Sequence, residues 1–103
     1  MAGITTHVLD TAQGRPAAGM RVTLHRGDEL LFEGTTNADG RARVLPPEAT
    51  QPGTYRITFD TGAYNANGFF PEASIVFRID DATQHHHVPL LLSPFGYATY
   101  RGS

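Results

Sequence analysis

Short runs rich in Val, Ile, Thr, Phe and Tyr recur along this chain between clusters of Gly, Pro, Asn and Asp, and that rhythm restricts the fold more than any other feature. Branched and aromatic side chains suit a pleated, half-buried surface, whereas Gly and Pro interrupt it. Eight runs qualify: Ile4–Asp10, Met20–Arg26, Leu30–Thr36, Arg41–Leu45, Thr54–Phe59, Ala73–Ile79, His86–Ser93 and Phe95–Tyr100. So closely spaced, they predict an all-β antiparallel sandwich or barrel. The Gln13-Gly14-Arg15-Pro16 and Asn37-Ala38-Asp39-Gly40 segments read as turns, the second with Gly40 at positive φ. Between Asp60 and Asn67 one helical turn or short helix is expected, capped by Asp60 or Thr61 and stopped by Gly68.

The 103 residues make one domain, 1–103, small enough that association with further copies would add stability. Ten acidic side chains against eight basic ones leave a formal charge of −2, which excludes the basic footprint that nucleic acid requires. All eight cations are arginine, a side chain suited to bidentate contact with carboxylates or urea-like groups. With no cysteine, disulfides and thiolate chemistry are excluded. No apolar run is long enough to span a bilayer and no leader precedes Ile4, so a cytoplasmic location is expected, with periplasm and peroxisome left open.

Period-two alternation assigns side chains to faces. With Ile4 and Val8 in the core, His7 points outward beside Thr5 and Leu9. With Val88, Leu90 and Leu92 inward, His85, His87, Pro89 and Leu91 point outward. In the last run Phe95, Tyr97 and Thr99 form the inward set and Tyr100 joins the outer face. An outer face carrying Leu9, Leu91, Pro89 and Ala98 beside two histidines is too apolar for open solvent and reads as a cleft or a subunit interface.

Each of these residues also has a plain structural reading. His7 alone would be an ordinary strand residue, Asp39-Gly40-Arg41 a hairpin turn followed by a solvated cation, and Tyr100 a cap on the edge of the core. Outward histidines at i and i+2, joined by His7, would also number enough ligands for a metal, although no acidic partner lies near them in sequence. The chain ends on Tyr100-Arg101-Gly102-Ser103, an aromatic, a cation, a glycine and a hydroxyl beside the terminal carboxylate, directly after a run that should hold it to a sheet. Such an ending suits a wall of a site.

Taken together, Ile4-Thr-Thr-His-Val-Leu-Asp10, Thr36-Asn-Ala-Asp-Gly-Arg41, His85-His-His-Val-Pro-Leu-Leu-Leu-Ser-Pro94 and Tyr100-Arg-Gly-Ser103 closely resemble the transthyretin-related family, and within it the branch of 5-hydroxyisourate hydrolases. The terminal tetrapeptide discriminates best, since hormone-carrying transthyretins lack it and the histidine pair. The resemblance implies a transthyretin-like eight-stranded antiparallel β-sandwich with one short helix, assembled as a homotetramer, a dimer of dimers whose central channel holds the active sites. It implies His7, Arg41 and His87 as catalytic residues, Tyr100, Arg101, Gly102 and Ser103 as substrate-binding residues, and neither metal nor organic cofactor. It departs from the family at His86, where tyrosine is usual, and in Tyr64–Pro71, which looks short for the family's helix and loop.

The activity so implied opens the six-membered ring of 5-hydroxyisourate at an amide, giving 2-oxo-4-hydroxy-4-carboxy-5-ureidoimidazoline. Such a step needs an activated water, a stabilised oxyanion and a proton for the departing nitrogen. Two histidines divide the proton work and Arg41 binds the anionic edge. A non-catalytic carrier of the transthyretin type is the alternative, needing only an apolar channel, and a purely structural sandwich module needs neither.

Overall fold

The computed structural model describes residues 3–103. Its strands are β1 (Gly3–Asp10), β2 (Arg15–Pro16), β3 (Arg21–Arg26), β4 (Glu29–Thr35), β5 (Arg41–Leu45), β6 (Gly53–Phe59), β7 (Ala73–Ile79), β8 (His85–Ser93) and β9 (Gly96–Thr99). A 3-10 turn, Pro47–Ala49, occupies the proline-rich connection, and helix α1 is a single turn, Thr61–Tyr64. The eight principal strands and the short helix lie where the turn chemistry puts them, with Asp60 as the helix cap, although the helix ends at Asn65 rather than at Gly68. The two-residue β2 was not anticipated, because it exists only by pairing Leu9 with Pro16 and Asp10 with Arg15.

The strands form two sheets, one with β1 at its centre between β8 and the β2 and β5 pieces and with β9 beyond β8, the other in the order β4-β3-β6-β7. Pairings are antiparallel except that of β1 with β8, which is parallel. Period-two alternation supplies the core: Ile4, Val8, Val44 and Leu90 from the first sheet meet Val22, Leu24, Tyr55, Ile57 and Phe59 from the second, all at most 1 % exposed. Each such side chain contributes roughly 1.5–3 kcal/mol by leaving water.

Alternation fails at the last strand. Register does set Tyr97 opposite Leu92 and Thr99 opposite Leu90, so these share the inner face. Yet Tyr97 is 38 % exposed and Phe95, in the turn before β9, is 80 % exposed. As the edge strand, β9 offers Tyr97 the ring of Phe70, met edge-on at 5.3 Å, in place of the core.

Asp10 fastens the end of β1 to α1. Its carboxylate accepts from the backbone N–H groups of Ala12 and Gln13, from Gln13 Nε2, and from the Tyr64 hydroxyl at 2.8 Å. Burial acts to raise the Asp10 pKa, but the bonds from Tyr64, Gln13 and Ala12 outweigh it and hold the value below the ordinary 3.8. Asp10→Ala is expected to cost about 2–4 kcal/mol in urea melts at pH 7, since it strands several donors. Because the folded pKa is the lower one, this contribution is complete above pH 3.8 and fades as pH falls through the folded value. The variant should lack that part of the acid sensitivity.

Candidate active site

Arg41 is aimed by its turn. Asn37 Oδ1 accepts from the N–H groups of Asp39 and Arg41, and Gly40 N–H donates to the Asn37 carbonyl at 2.9 Å. Gly40 has φ +74°, and a Cβ there would lie 2.5 Å from the Val8 carbonyl, which instead accepts from Ala17 N–H. The close pass of this glycine over β1 lets β5 begin at Arg41, directly opposite His7.

Across the outer face of the first sheet the registers align two rows. Arg41 pairs with His7, and His7 with Pro89. In the next row Arg43 pairs with Thr5, Thr5 with His87, and His87 with Gly102 through an isolated bridge. His7, Thr5, His85 and His87 are half-buried, while Arg41 and Arg43 are exposed. His86, by contrast, is buried on the core side, with its Nδ1 3.0 Å from the Gln84 carbonyl, so the residue that departs from the usual tyrosine faces away from the rows.

The chain end is bound to β8. Gly102 N–H donates to the His87 carbonyl at 2.8 Å, and Thr99 Oγ1 donates to the carbonyl of Pro89 at 2.8 Å. Gly102 lies against the His87 ring so closely that a Cβ would sit 2.5 Å from its Cδ2. Arg101 donates to Gln84 Oε1 at 3.1 Å. Tyr100 and Arg101 border an apolar hollow of about 190 Å³ with Ile75, Phe77 and His87. Tyr100 is 59 % exposed and Ser103 is exposed. Thus pairing sets His7, Arg41, His87 and Gly102 in adjacent rows, with Tyr100 and Arg101 on the rim of the neighbouring hollow against Ile75 and Phe77 of the second sheet, and Ser103 exposed.

Sequence reading passed over Thr5, whose Oγ1 is 2.7 Å from His85 Nε2 and 2.8 Å from His87 Nδ1. Its signal was its place two residues before His7 on the same strand face. Burial, together with the nearby His85, Arg41 and His7, holds the His87 pKa below the ordinary histidine value of 6.5. His87 is therefore a neutral imidazole at neutral pH, able to accept a proton.

Among the described residues, no group of three or more His, Cys, Asp or Glu side chains is placed to hold a metal ion. A larger hollow of about 760 Å³ lies on the outer face of the second sheet, lined by Arg21, His25, Arg56, Asp60 and Glu72, and contains none of the expected site residues. It is a shallow polar surface of mixed charge, set apart from the two rows.

Two sheets of this order, with the first carrying histidines and arginines on its outer face, define a transthyretin-like sandwich built to act on a small molecule. A family model described as the HIUase/Transthyretin family matches residues 4–102, and the chain belongs to that family. It is 45 % identical over 115 residues to a 5-hydroxyisourate hydrolase of Caulobacter vibrioides, covering the whole of both chains. Klebsiella pneumoniae 5-hydroxyisourate hydrolase superposes with a TM-score of 0.91 at 39 % identity, again over the whole of both. Sea bream transthyretin, solved in complex with thyroxine, superposes at 0.89 with 28 % identity, covering 96 % of this chain and 93 % of its own.

Proposed function

We propose that this protein hydrolyses 5-hydroxyisourate to 2-oxo-4-hydroxy-4-carboxy-5-ureidoimidazoline, a step of urate catabolism. The observation that carries the reading is the Arg41–His7 pairing set beside His87 on one outward face, in a chain matched over its full length by hydrolases of this name. His87, kept neutral, draws a proton from water as that water attacks the cyclic amide, with His7 beside it helping to activate the water. Arg41 holds the substrate's carbonyls or anionic edge and offsets charge on the tetrahedral oxyanion. Tyr100, Arg101, Gly102 and Ser103 form one wall and orient the ring. This chemistry needs only water as co-reactant.

The exposed edge and the open rim favour a homotetramer, a dimer of dimers, in which a second copy closes each site. A non-catalytic carrier is the competing reading, favoured by the likeness to transthyretin.

The test is direct. 5-Hydroxyisourate made freshly from urate with urate oxidase is followed by its ultraviolet decay with and without the protein. Acceleration over spontaneous decay is expected; its absence sinks the hydrolase reading in favour of the carrier. The pH profile carries a further expectation. A base whose pKa is lowered stays unprotonated below pH 6.5, so the acid limb of kcat/KM should fall off below that value. A limb above it would remove His87 from the role of base.

A further inference from the structure

The hydroxyl of Thr5 stands between two imidazoles, His85 Nε2 at 2.7 Å and His87 Nδ1 at 2.8 Å. A hydroxyl owns one proton, so it donates to one of these nitrogens and accepts from the other. With both rings neutral, only two arrangements satisfy both contacts. In the first, His87 Nδ1–H donates to Thr5, Thr5 donates to His85 Nε2, and His87 Nε2 is bare. In the second, His85 Nε2–H donates to Thr5, Thr5 donates to His87 Nδ1, and His87 Nε2 carries the proton. The first leaves His87 a base at Nε2 and the second makes it an acid at the same atom.

Resting on the hydrolase reading above, we propose that Thr5 relays protons between His87 and His85, so that His87 serves first as base and then as acid through one nitrogen, with His85 as the proton store. The step balances. Water's oxygen bonds to the substrate's carbonyl carbon as its proton goes to His87 Nε2. The Nδ1 proton passes to Thr5 Oγ1, the Thr5 proton passes to His85 Nε2, and His85 becomes the imidazolium. When the intermediate collapses, the C–N bonding pair goes to nitrogen, which takes the proton from His87 Nε2. In concert with that loss His85 returns its proton through Thr5 to His87 Nδ1, so that the ring stays neutral, and the new carboxylic acid ionises to solvent.

Surrounding charge favours this direction of transfer. A cation on His87 faces His7 from β1 and Arg41 from β5. His85 pairs with Gly3, while His87 pairs with Thr5, so His85 lies one step farther along β1 from the His7–Arg41 row. Arg43 is the cation on that side, bordering with His85 and Thr5 a hollow of about 310 Å³. The rings are held for transfer, with centroids 6.1 Å apart and planes tilted by 31°. Thr5 and His85 are thus positioning residues that act through His87.

Thr5→Val keeps the β-branched shape and removes only the hydroxyl. Its kcat should fall by roughly 10- to 100-fold, within the range of general acid–base effects, with KM little changed. Thr5→Ser should restore most of the rate. His85→Phe should lose about as much, and the Thr5→Val/His85→Phe pair no more than either alone, since the two act as one unit. Nitrogen-15 NMR of the histidine rings in the substrate-free protein gives a second readout: His87 should be protonated on Nδ1 in the wild type and lose that preference in Thr5→Val. Wild-type kcat in Thr5→Val overturns the relay, as do unchanged ring tautomers in that variant or a loss that Thr5→Ser fails to restore. Because the tautomers are read without turnover, they judge the relay even where the hydrolase assay fails.

Discussion

Alanine at His87 is expected to lower kcat/KM for 5-hydroxyisourate by about 10²- to 10⁴-fold while the protein still folds. Three features meet on this ring: its depressed pKa keeps it neutral, Thr5 fixes Nδ1 at 2.8 Å, and Gly102 lies against its edge. Alanine removes the proton acceptor, leaves Thr5 bonded to His85 alone and opens a gap under the chain end. His87 is only half-buried and its carbonyl, which holds Gly102 N–H, survives the change, so the stability cost should stay near 1 kcal/mol. Steady-state kinetics beside a thermal melt separate the two effects. His7→Ala should fall in the same range, and the double variant should be no worse than the weaker single one, because both histidines act on one attacking water. Turnover close to wild type in His87→Ala would remove this residue from the chemistry.

Much of this was legible because period two is a local property. Ile4, Thr6 and Val8 are buried and Thr5, His7 and Leu9 are half-exposed, as alternation requires, and the same holds for Val88, Leu90 and Leu92 against His85, His87 and Leu91, while Pro89 of the outward set is buried. The Asn37–Gly40 turn was equally readable, since its chemistry lies within five residues. What alternation cannot supply is which strand lies beside which. The parallel pairing of β1 with β8 joins Thr5 to His87 across 82 positions, and without it neither the shared hydroxyl nor the pair of rows is visible. The exposed Phe95 and Tyr97 fail for a related reason: an inward direction buries a side chain only where another layer stands opposite. Resemblance supplied the substrate, which no periodicity encodes, and it named Gly102 only as part of the substrate-binding tail, whereas its packing against the His87 ring is a fact of the fold.

That contact makes Gly102→Ala the sharpest test of the terminus, with an expected loss in kcat/KM of about 10²-fold, comparable to removing a group that positions the base. A methyl at Gly102 would lie 2.5 Å from His87 Cδ2, 3.2 Å from Cγ and 3.4 Å from Cβ, against an optimum near 3.5–4.0 Å between carbons. These atoms form the root of the ring and cannot swing aside as a flexible tip does. Either the ring turns and gives up Thr5, or the terminus lifts from β8 and carries Tyr100, Arg101 and Ser103 off the rim. Both routes disable the site, and neither disturbs the core, because the segment follows the last strand. Deleting Arg101–Ser103 should therefore reproduce the loss with the melting temperature little changed. Gly96→Ala is the matched control: it lies on the same closing hairpin, where an added Cβ meets only Ser93 Oγ at an ordinary 3.7 Å, and turnover should be unchanged. Equal activity in the Gly102 and Gly96 variants would mean that the chain end does not seat the histidine.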